Sequence, residues 1–285
     1  MHALRLVETW PVRHAAGAVL APDGRLHTVG DLDHRFRLAS LAKMFVGWTA
    51  LVAVEEGTLD LDEVLTSIGS HALDDCTPRH LLAHTAGFAF DSFDRLAAPG
   101  TRRIYSNTGI ELFAELLATR TGVPFADYQR EALFEPLEMR ATELMGSPAK
   151  DVHSTVRDMV AFLHELRTPR LISADTAAQF STVQFAGVAG TVPGVGRYDD
   201  CPWGLGTEIR GSKRPHWTGS RNSAATYGHF GGAGTLLWVD PVAVTSCVVL
   251  TDRPFDDWAA EALRRWPELA DEVLAECNDT PAGVA

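Results

Sequence analysis

The spacing of apolar and polar positions changes twice along the chain. Two strand-like runs flank Pro22-Asp23-Gly24, a turn in which proline fixes φ and glycine accepts a positive φ. A further group of strand-like runs follows residue 203. Between the two groups, apolar positions recur mainly at helical spacing. The pattern therefore predicts strands toward both ends of the chain and helices in its middle.

Several predicted helices have recognisable ends. The helix Ser40–Glu56 is expected to stop at Gly57, and Thr77 is expected to cap a short helix over 77–87. Thr155-x-x-Asp158 predicts a capping box at the start of another helix. Further helices are expected over 106–121, 124–134 and about 256–276, and the Gly- and Pro-rich residues 183–203 are expected to form a loop.

This arrangement predicts an α/β (α+β) protein in which helices flank one antiparallel sheet. The sheet portion is expected to comprise residues 1–62 and 200–285, with a mainly helical region, 63–199, inserted between them. We expect residues 1–285 to form a single unit, because this length suffices for one unit with a sizeable core.

Composition and charge disfavour several classes of function. A formal net charge of −12 with scattered basic residues is a poor match to a nucleic-acid or anionic-membrane binder. The apolar run Met44–Val54 is too short to span a bilayer, and the N-terminus lacks a leader pattern. Cys76, Cys201, Cys247 and Cys277 form no CxxC motif. We expect a cytoplasmic protein with reduced cysteines, and the sequence leaves its oligomeric state open.

The first candidate for chemistry is the pair Ser40 and Lys43. Lysine occurs at only three positions, and eleven uncharged residues follow Lys43. Ser40 lies on the same helix face, near an N-terminus that favours a developing oxyanion. A lysine against an apolar face loses hydration, so its pKa falls and it can accept the serine proton. A helix cap and a surface lysine with a buried stem would be the structural explanation.

The same spacing recurs at Ser147 and Lys150, so the spacing alone is not specific. The residues after Lys150 are polar, which predicts a surface turn rather than a buried helix. We therefore expect this second pair to be unreactive.

Two further stretches carry groups suited to a site beside Ser40. A phenol such as Tyr105 can relay a proton, and an amide such as Asn107 can bind a substrate carbonyl. Asn107 or Thr108 would equally serve as a helix cap. Residues 227–235 place four glycines in an expected strand, where glycine is disfavoured unless a ligand or backbone approaches closely. A bulged edge strand would explain the same glycines.

Taken in order, these stretches resemble the motif set of the serine β-lactamases and penicillin-binding proteins. The S-x-x-K motif is matched by Ser40-Leu41-Ala42-Lys43, the Tyr-x-Asn motif by Tyr105-Ser106-Asn107, and the Lys/His-x-Gly motif by His229-Phe230-Gly231. The resemblance covers about residues 15–275 and is to the class C branch, with its D-Ala-D-Ala carboxypeptidases and family VIII-type esterases. Three supporting stretches are 81–88, 99–109 and 154–162.

The resemblance implies roles for the first two motifs. Ser40 would be the acylated nucleophile, and Lys43 and Tyr105 would share the function of the base. Which of these two takes the proton is left open by the sequence. Asn107 would hold the Lys43 side chain and the substrate.

The resemblance also assigns the third motif. His229 and Gly231 would lie on the strand that binds the substrate, and the N–H groups of Ser40 and Gly232 would form the oxyanion hole. Water would then hydrolyse the acyl-enzyme, and no metal or cofactor is required. His80 and His84 have the spacing of a zinc-binding helix but lack the glutamate of H-E-x-x-H, so we expect packing and capping there.

Three departures from the family pattern shift the expected substrate. His229 replaces lysine and Phe230 replaces a hydroxyl residue, so the carboxylate of a β-lactam would be bound poorly. The chain is also short for class C, and it lacks the leader of a protein that meets antibiotics outside the cytoplasm. We therefore predict an esterase or amidase acting on a small, uncharged substrate. About half of five aromatic residues are expected to line its acyl pocket: Phe88, Phe90, Phe93, Trp203 and Trp217.

Two alternatives remain at this stage. The first is a β-lactamase or D-Ala-D-Ala carboxypeptidase, and the second is a binding or assembly module with little turnover, since one fold hosts many functions. Removing a lysine from water beside an apolar helix reduces the stability of the fold, so a purely structural protein has little reason to keep Lys43.

Overall fold

The computed structural model describes residues 1–279, and strands and helices alternate along this range. The described strands are β1 (Ala15–Leu20), β2 (Leu26–Val29), β3 (Phe36–Arg37), β4 (Leu65–Ile68), β5 (His71–Cys76), β6 (Glu143–Leu144), β7 (Val152–Ser154), β8 (Gly190–Val192), β9 (Gly196–Tyr198), β10 (Glu208–Ile209), β11 (Tyr227–Gly231), β12 (Thr235–Asp240) and β13 (Thr245–Thr251). The α-helices are α1 (Ala42–Glu55), α2 (Pro78–Leu82), α3 (Asn107–Thr121), α4 (Phe125–Gln129), α5 (Val156–Arg167), α6 (Ala174–Ala178) and α7 (Ala259–Asp279). Short 3-10 or π segments are Ala3–Thr9, Ala39–Leu41, Arg130–Phe134, Gln179–Ser181 and Phe255–Asp257.

The main sheet joins the two ends of the chain. Its strand order is β10-β11-β12-β13-β1-β2, and every neighbouring pair is antiparallel. The strands come from residues 15–29 and 208–251, with most of the helices between them. The predicted fold class, an antiparallel sheet flanked by helices, is confirmed. The division into 1–62 with 200–285 and 63–199 stays a prediction.

The sheet is covered on both faces, so β12 and β13 are buried along their whole length. Leu237 and Val248 pack into one apolar core, which includes residues of α1 and α5. Trp238 and Val249 point into the opposite core, which is closed by α7 and the segment Ala3–Thr9. None of the helices in the described range is long and apolar enough to cross a bilayer. The cytoplasmic location stays a prediction.

Some elements differ from the sequence expectation. Residues 63–76 contain the hairpin β4–β5, and the expected loop 183–203 contains the hairpin β8–β9. The second hairpin depends on a distant segment, because Arg103 N–H bonds the Ala189 carbonyl beside it. Such a partner leaves no local sequence pattern, which is why the hairpin was not predicted. Helix α2 ends at Leu82, before the expected Gly87.

Helix capping is partly as predicted. Thr77 forms a reciprocal capping box with His80 at the start of α2. The Thr155 hydroxyl accepts the Asp158 N–H at the start of α5. The Asp158 carboxylate does not return this bond to residue 155, because it accepts Ala141 N–H at 2.8 Å instead. The carboxylate therefore ties α5 to the segment before β6.

The turn that carries Ser40 is fastened directly to the sheet. Helix α1 begins at Ala42 rather than Ser40, and Ser40 lies in the preceding 3-10 turn Ala39–Leu41. The Leu38 carbonyl before this turn accepts the Thr235 hydroxyl of β12 at 2.8 Å. A Cβ built on Gly231 would collide with the same carbonyl. Glycine at the end of β11 therefore allows the strand and the turn to touch.

We expect Gly231→Ala to reduce the free energy of unfolding by about 1–3 kcal/mol, because the added methyl group must push the turn away from the sheet. Gly232→Ala is the matched control, since a Cβ built there meets no atom within 4 Å. Thermal and urea unfolding of both variants measure the difference. Equal stabilities would show that the contact between strand and turn is not tight.

Candidate active site

Backbone strain accompanies the placement of Ser40. Ala39, directly before it, has a φ of 50°, in the left-handed region that non-glycine residues rarely adopt. Such strain persists only where the surrounding structure enforces it. Here two contacts of Leu38 enforce it. The Leu38 carbonyl accepts the Thr235 hydroxyl of β12, and the Leu38 N–H bonds the Val152 carbonyl of β7 at 2.8 Å. The Ser40 hydroxyl is thereby held at the wall of a cleft.

Lys43 lies in the first turn of α1 with no exposed surface. Its Nζ lies 3.2 Å from Ser40 Oγ, 2.7 Å from Asn107 Oδ1 and 2.9 Å from the Ala149 carbonyl oxygen. Burial lowers the pKa of Lys43 to about 7. Both the ammonium and the neutral amine are therefore accessible near neutral pH, within hydrogen-bonding distance of the serine hydroxyl.

Asn107 reaches Lys43 because a neighbouring residue takes over the helix cap. Ser106, not Asn107 or Thr108, caps α3, and its hydroxyl accepts Gly109 N–H at 3.1 Å. The Asn107 Nδ2 group donates to Asp91 Oδ1 at 2.8 Å, which leaves Oδ1 of the amide facing Lys43. No sequence signal identified Asp91.

The second S-x-x-K stretch forms a turn, as predicted, but it contributes to the site. The Ser147 hydroxyl bonds Glu111 rather than the Lys150 ammonium, and the two residues are joined only by a backbone hydrogen bond from Lys150 N–H to the Ser147 carbonyl. The Lys150 ammonium lies 3.7 Å from Asp91, and its charge adds to the lowering of the Lys43 pKa. The Ala149 carbonyl is one of the three acceptors around Lys43. Sequence reasoning missed this contribution because it is made by a backbone atom.

Tyr105 and His229 form a second hydrogen-bonded pair. Tyr105 Oη lies 3.1 Å from His229 Nε2, and His229 Nδ1 lies 2.7 Å from the Phe230 carbonyl oxygen. A carbonyl oxygen only accepts, so Nδ1 carries the proton and Nε2 accepts the tyrosine O–H. Burial and the nearby Lys43 lower the pKa of His229 to about 3, so the ring is neutral.

The Tyr105 side chain also interacts with Ser40 and Lys43. Burial raises the pKa of the Tyr105 phenol well above its usual range. A hydrogen bond with Ser40 has the opposite but smaller effect. The Lys43 Nζ lies 4.8 Å from the centre of the Tyr105 ring. The structure thus brings together Ser40, Lys43, Tyr105, Asn107 and His229, and their catalytic roles stay a prediction.

The cleft in front of Ser40 has a volume of about 200 Å³. Gly232 opens onto it, whereas Gly231 is packed against the Ser40 turn. Of the five aromatic candidates, Phe90 and Trp203 line the cleft. Phe88 and Trp217 are buried in the two cores, and Phe93 stacks on His71. Phe255 and Asp256 also line it but gave no sequence signal.

His80 and His84 bind different parts of the structure rather than a common ligand. His80 Nδ1 lies 2.7 Å from the Thr77 hydroxyl at the start of α2. His84 Nδ1 accepts Ser106 N–H at 3.2 Å, and its ring packs on Tyr105 with the ring centres 4.5 Å apart. His84 therefore supports the tyrosine from behind. Residues 1–279 contain no group of three or more metal-binding side chains.

A family model described as Beta-lactamase matches residues 10–271. The chain therefore belongs to the β-lactamase family, as its motifs indicated. A crystal structure of a β-lactamase from Mycobacterium bovis is 47% identical, with a TM-score of 0.90; the match covers 96% of this chain and 99% of that one. The hydrolase EstCE1, which has promiscuous acyltransferase activity, has the same fold at 18% identity and a TM-score of 0.75, covering 94% and 97% of the two chains.

Curated relatives match over shorter segments. A β-lactamase of Yersinia enterocolitica is 25% identical over 186 residues, which are 49% of this chain and 48% of that protein. A putative D-alanyl-D-alanine carboxypeptidase of Escherichia coli is 26% identical over 200 residues, which are 55% and 46% of the two. The chain thus spans less than half the length of these two relatives.

We expect Lys43 to titrate with a midpoint near pH 7, and Lys150→Gln to raise that midpoint, because a like charge that disfavours the Lys43 ammonium is removed. With only three lysines in the chain, NMR of protein labelled at lysine Cε gives few resonances to follow. Arg140→Gln, at a side chain that is 85% exposed, is the control and should leave the midpoint unchanged. A midpoint near the ordinary lysine value of about 10.4 would contradict the burial argument.

Proposed function

We propose that this chain is a serine hydrolase that cleaves a small ester or amide through an acyl-enzyme on Ser40. The observation that carries the proposal is the buried Lys43, whose Nζ lies 3.2 Å from the Ser40 hydroxyl. Burial shifts the pKa of this lysine to about 7, the range in which an amine works as a general base at neutral pH.

In this mechanism Lys43 is the base and Tyr105 assists it. Burial keeps Tyr105 a neutral phenol, because its pKa is raised, whereas neutral Lys43 is accessible near pH 7. Ser40 Oγ attacks the substrate carbonyl carbon and passes its proton to Lys43. The oxyanion that forms is stabilised by the N–H groups of Ser40 and Gly232.

Collapse of the tetrahedral intermediate breaks the bond to the leaving group, which takes the proton back from Lys43 through Tyr105. Water then attacks the acyl-enzyme and gives a proton to the same pair. The bond to Ser40 Oγ breaks, the pair returns that proton to Oγ, and the acid is released. Asn107 holds Lys43 in place throughout, and before substrate binds His229 accepts a hydrogen bond from the Tyr105 O–H.

The preference for esters over β-lactams rests on the third motif. β-Lactams and D-Ala-D-Ala peptides carry a carboxylate, which a cationic or hydroxyl side chain would bind. Here His229 is neutral, and Phe230 packs between Trp217 and Trp266. Among the described residues, no lysine or arginine lines the cleft in front of Ser40.

A β-lactamase is the second candidate, because the 47%-identical structure from Mycobacterium bovis carries that name over 96% of this chain. The two functions share the acyl-enzyme and differ in which acyl donor reacts fastest with Ser40. They are therefore separated by relative rates rather than by the presence of a nucleophile.

Incubation with a fluorophosphonate should add one group per chain to the wild-type protein and none to Ser40→Ala, because the Ser40 hydroxyl lies in the cleft beside the buried Lys43 amine. Intact-protein mass spectrometry measures the adduct. Ser147→Ala is the matched control, since it removes the serine of the other S-x-x-K stretch and should label like wild type.

The same assay with a penicillin separates the candidates. A faster reaction with a short-chain ester than with penicillin supports the esterase, and rapid turnover or a lasting adduct with penicillin supports the β-lactamase or carboxypeptidase. Absence of any label on Ser40 would contradict the hydrolase and favour a binding module.

Tyr105→Phe should lower kcat/KM for the ester by about 10²–10⁴-fold, because the hydroxyl that returns the proton to the leaving group is lost. Tyr128→Phe is the control, as its hydroxyl bonds Glu56 away from the cleft. Steady-state kinetics measure both variants. A loss of less than threefold in Tyr105→Phe would remove Tyr105 from the mechanism.

A further inference from the structure

Aromatic rings surround the mouth of the cleft on more than one side. Phe90, Trp203, Phe230 and Phe255 line it together with Tyr105. Tyr105 already faces the Lys43 ammonium at 4.8 Å. Phe90 is half-exposed, whereas Trp203, Phe230 and Phe255 are largely buried and line the cleft with only a small part of their surface.

One acidic side chain lines this cleft, while the Lys43 amine lies behind Ser40. Among the residues that the structure describes, Asp256 is the only formally charged side chain lining it. Asp256 lies beside Phe255 in the 3-10 turn Phe255–Asp257 and is exposed to solvent. A substrate group that extends from Ser40 toward this turn would meet a carboxylate among aromatic rings.

Cationic side chains also occur nearby. Arg253 donates to the backbone carbonyls of Pro11 and Asp257, at the turn that carries Asp256, but it does not line the cleft. A depression on the other side of Gly232 is lined by Arg35 and Arg37. Arg35 pairs with Glu143 at 2.6 Å, and Arg37 pairs with Asp151 at 3.2 Å. Each guanidinium therefore already has a carboxylate partner, and neither one lines the cleft in front of Ser40.

We infer that this cleft selects acyl donors bearing a cationic ammonium group, with Asp256 as the residue that determines this specificity. The inference rests on the proposed hydrolase function and names the substrate class for the same site, in place of the uncharged substrate expected from the sequence. Ammonium groups are attracted both to carboxylates and to aromatic rings, and quaternary ammonium ligands are typically bound in aromatic surroundings. A substrate carboxylate at the same position would be repelled by Asp256.

The expected preference is moderate because Asp256 is exposed. Water and salt screen its charge, so an ammonium ester should react about five- to tenfold faster in kcat/KM than its neutral isostere at low ionic strength. The preference should shrink as salt is added, since the ion-pair contribution is screened.

The test compares acetylcholine with 3,3-dimethylbutyl acetate, in which a carbon atom replaces the ammonium nitrogen. A pair with the trimethylammonium group or its carbon isostere at the far end of a butanoyl chain tests the acyl side. In Asp256→Asn the ratio of kcat/KM for the ammonium ester to kcat/KM for its neutral isostere should fall to about 1 in the preferred pair. Asp257→Asn is the matched control, because this neighbouring carboxylate is also exposed but does not line the cleft, and it should keep the wild-type ratio.

A second measurement is independent of turnover. Binding of choline to Ser40→Ala protein, followed by tryptophan fluorescence, should weaken in Ser40→Ala/Asp256→Asn and stay the same in Ser40→Ala/Asp257→Asn. Ester turnover that depends on Ser40 but shows no ammonium preference in either pair, or a preference for a carboxylate ester, would overturn the inference and leave the hydrolase intact. Absence of ester turnover would contradict the hydrolase, and choline binding would then decide the cation site by itself.

Discussion

The enclosure of one ammonium group organises this structure. Lys43 is buried on a helix whose other residues from Ala42 to Ala53 are buried too, so its charge can be balanced only by acceptors brought from elsewhere. Those acceptors come from three separated parts of the chain: the turn that carries Ser40, the start of α3 and the turn at Ala149. The sheet portion and the helical part must therefore assemble together around this side chain, and the same burial makes the amine available as a base.

The serine is placed by a different kind of constraint, which is close backbone contact. A strained Ala39, a glycine at the end of β11 and the Thr235 hydroxyl together hold the Ser40 turn against the sheet. Because the turn and β11 touch, Ser40 and Gly232 open onto one cleft. Rigid placement of this kind is what a site needs if its N–H groups are to meet a developing oxyanion without reorganisation.

Family membership and specificity are carried by different residues. Ser40, Lys43, Tyr105 and Asn107 match the β-lactamase family pattern and lie within one hydrogen-bonded network with His229. The walls of the cleft carry other groups: a neutral histidine, several aromatic rings and an exposed carboxylate. The proposed ester and ammonium preferences follow from these walls, whereas the proposed acyl-enzyme follows from the shared network.

The sequence by itself determined the fold class and the family, and it predicted five polar side chains that the structure places close together. Strand and helix periodicity are local properties, and motif residues keep recognisable neighbours along the chain. Only the tertiary structure decided which groups complete the site. Asp91, the Ala149 carbonyl and Asp256 reach it from loops or turns with no periodic pattern, and one of the three contributes only a backbone atom. Which of five aromatic residues face the cleft was likewise decided by packing between distant segments, a property that no local stretch of sequence records.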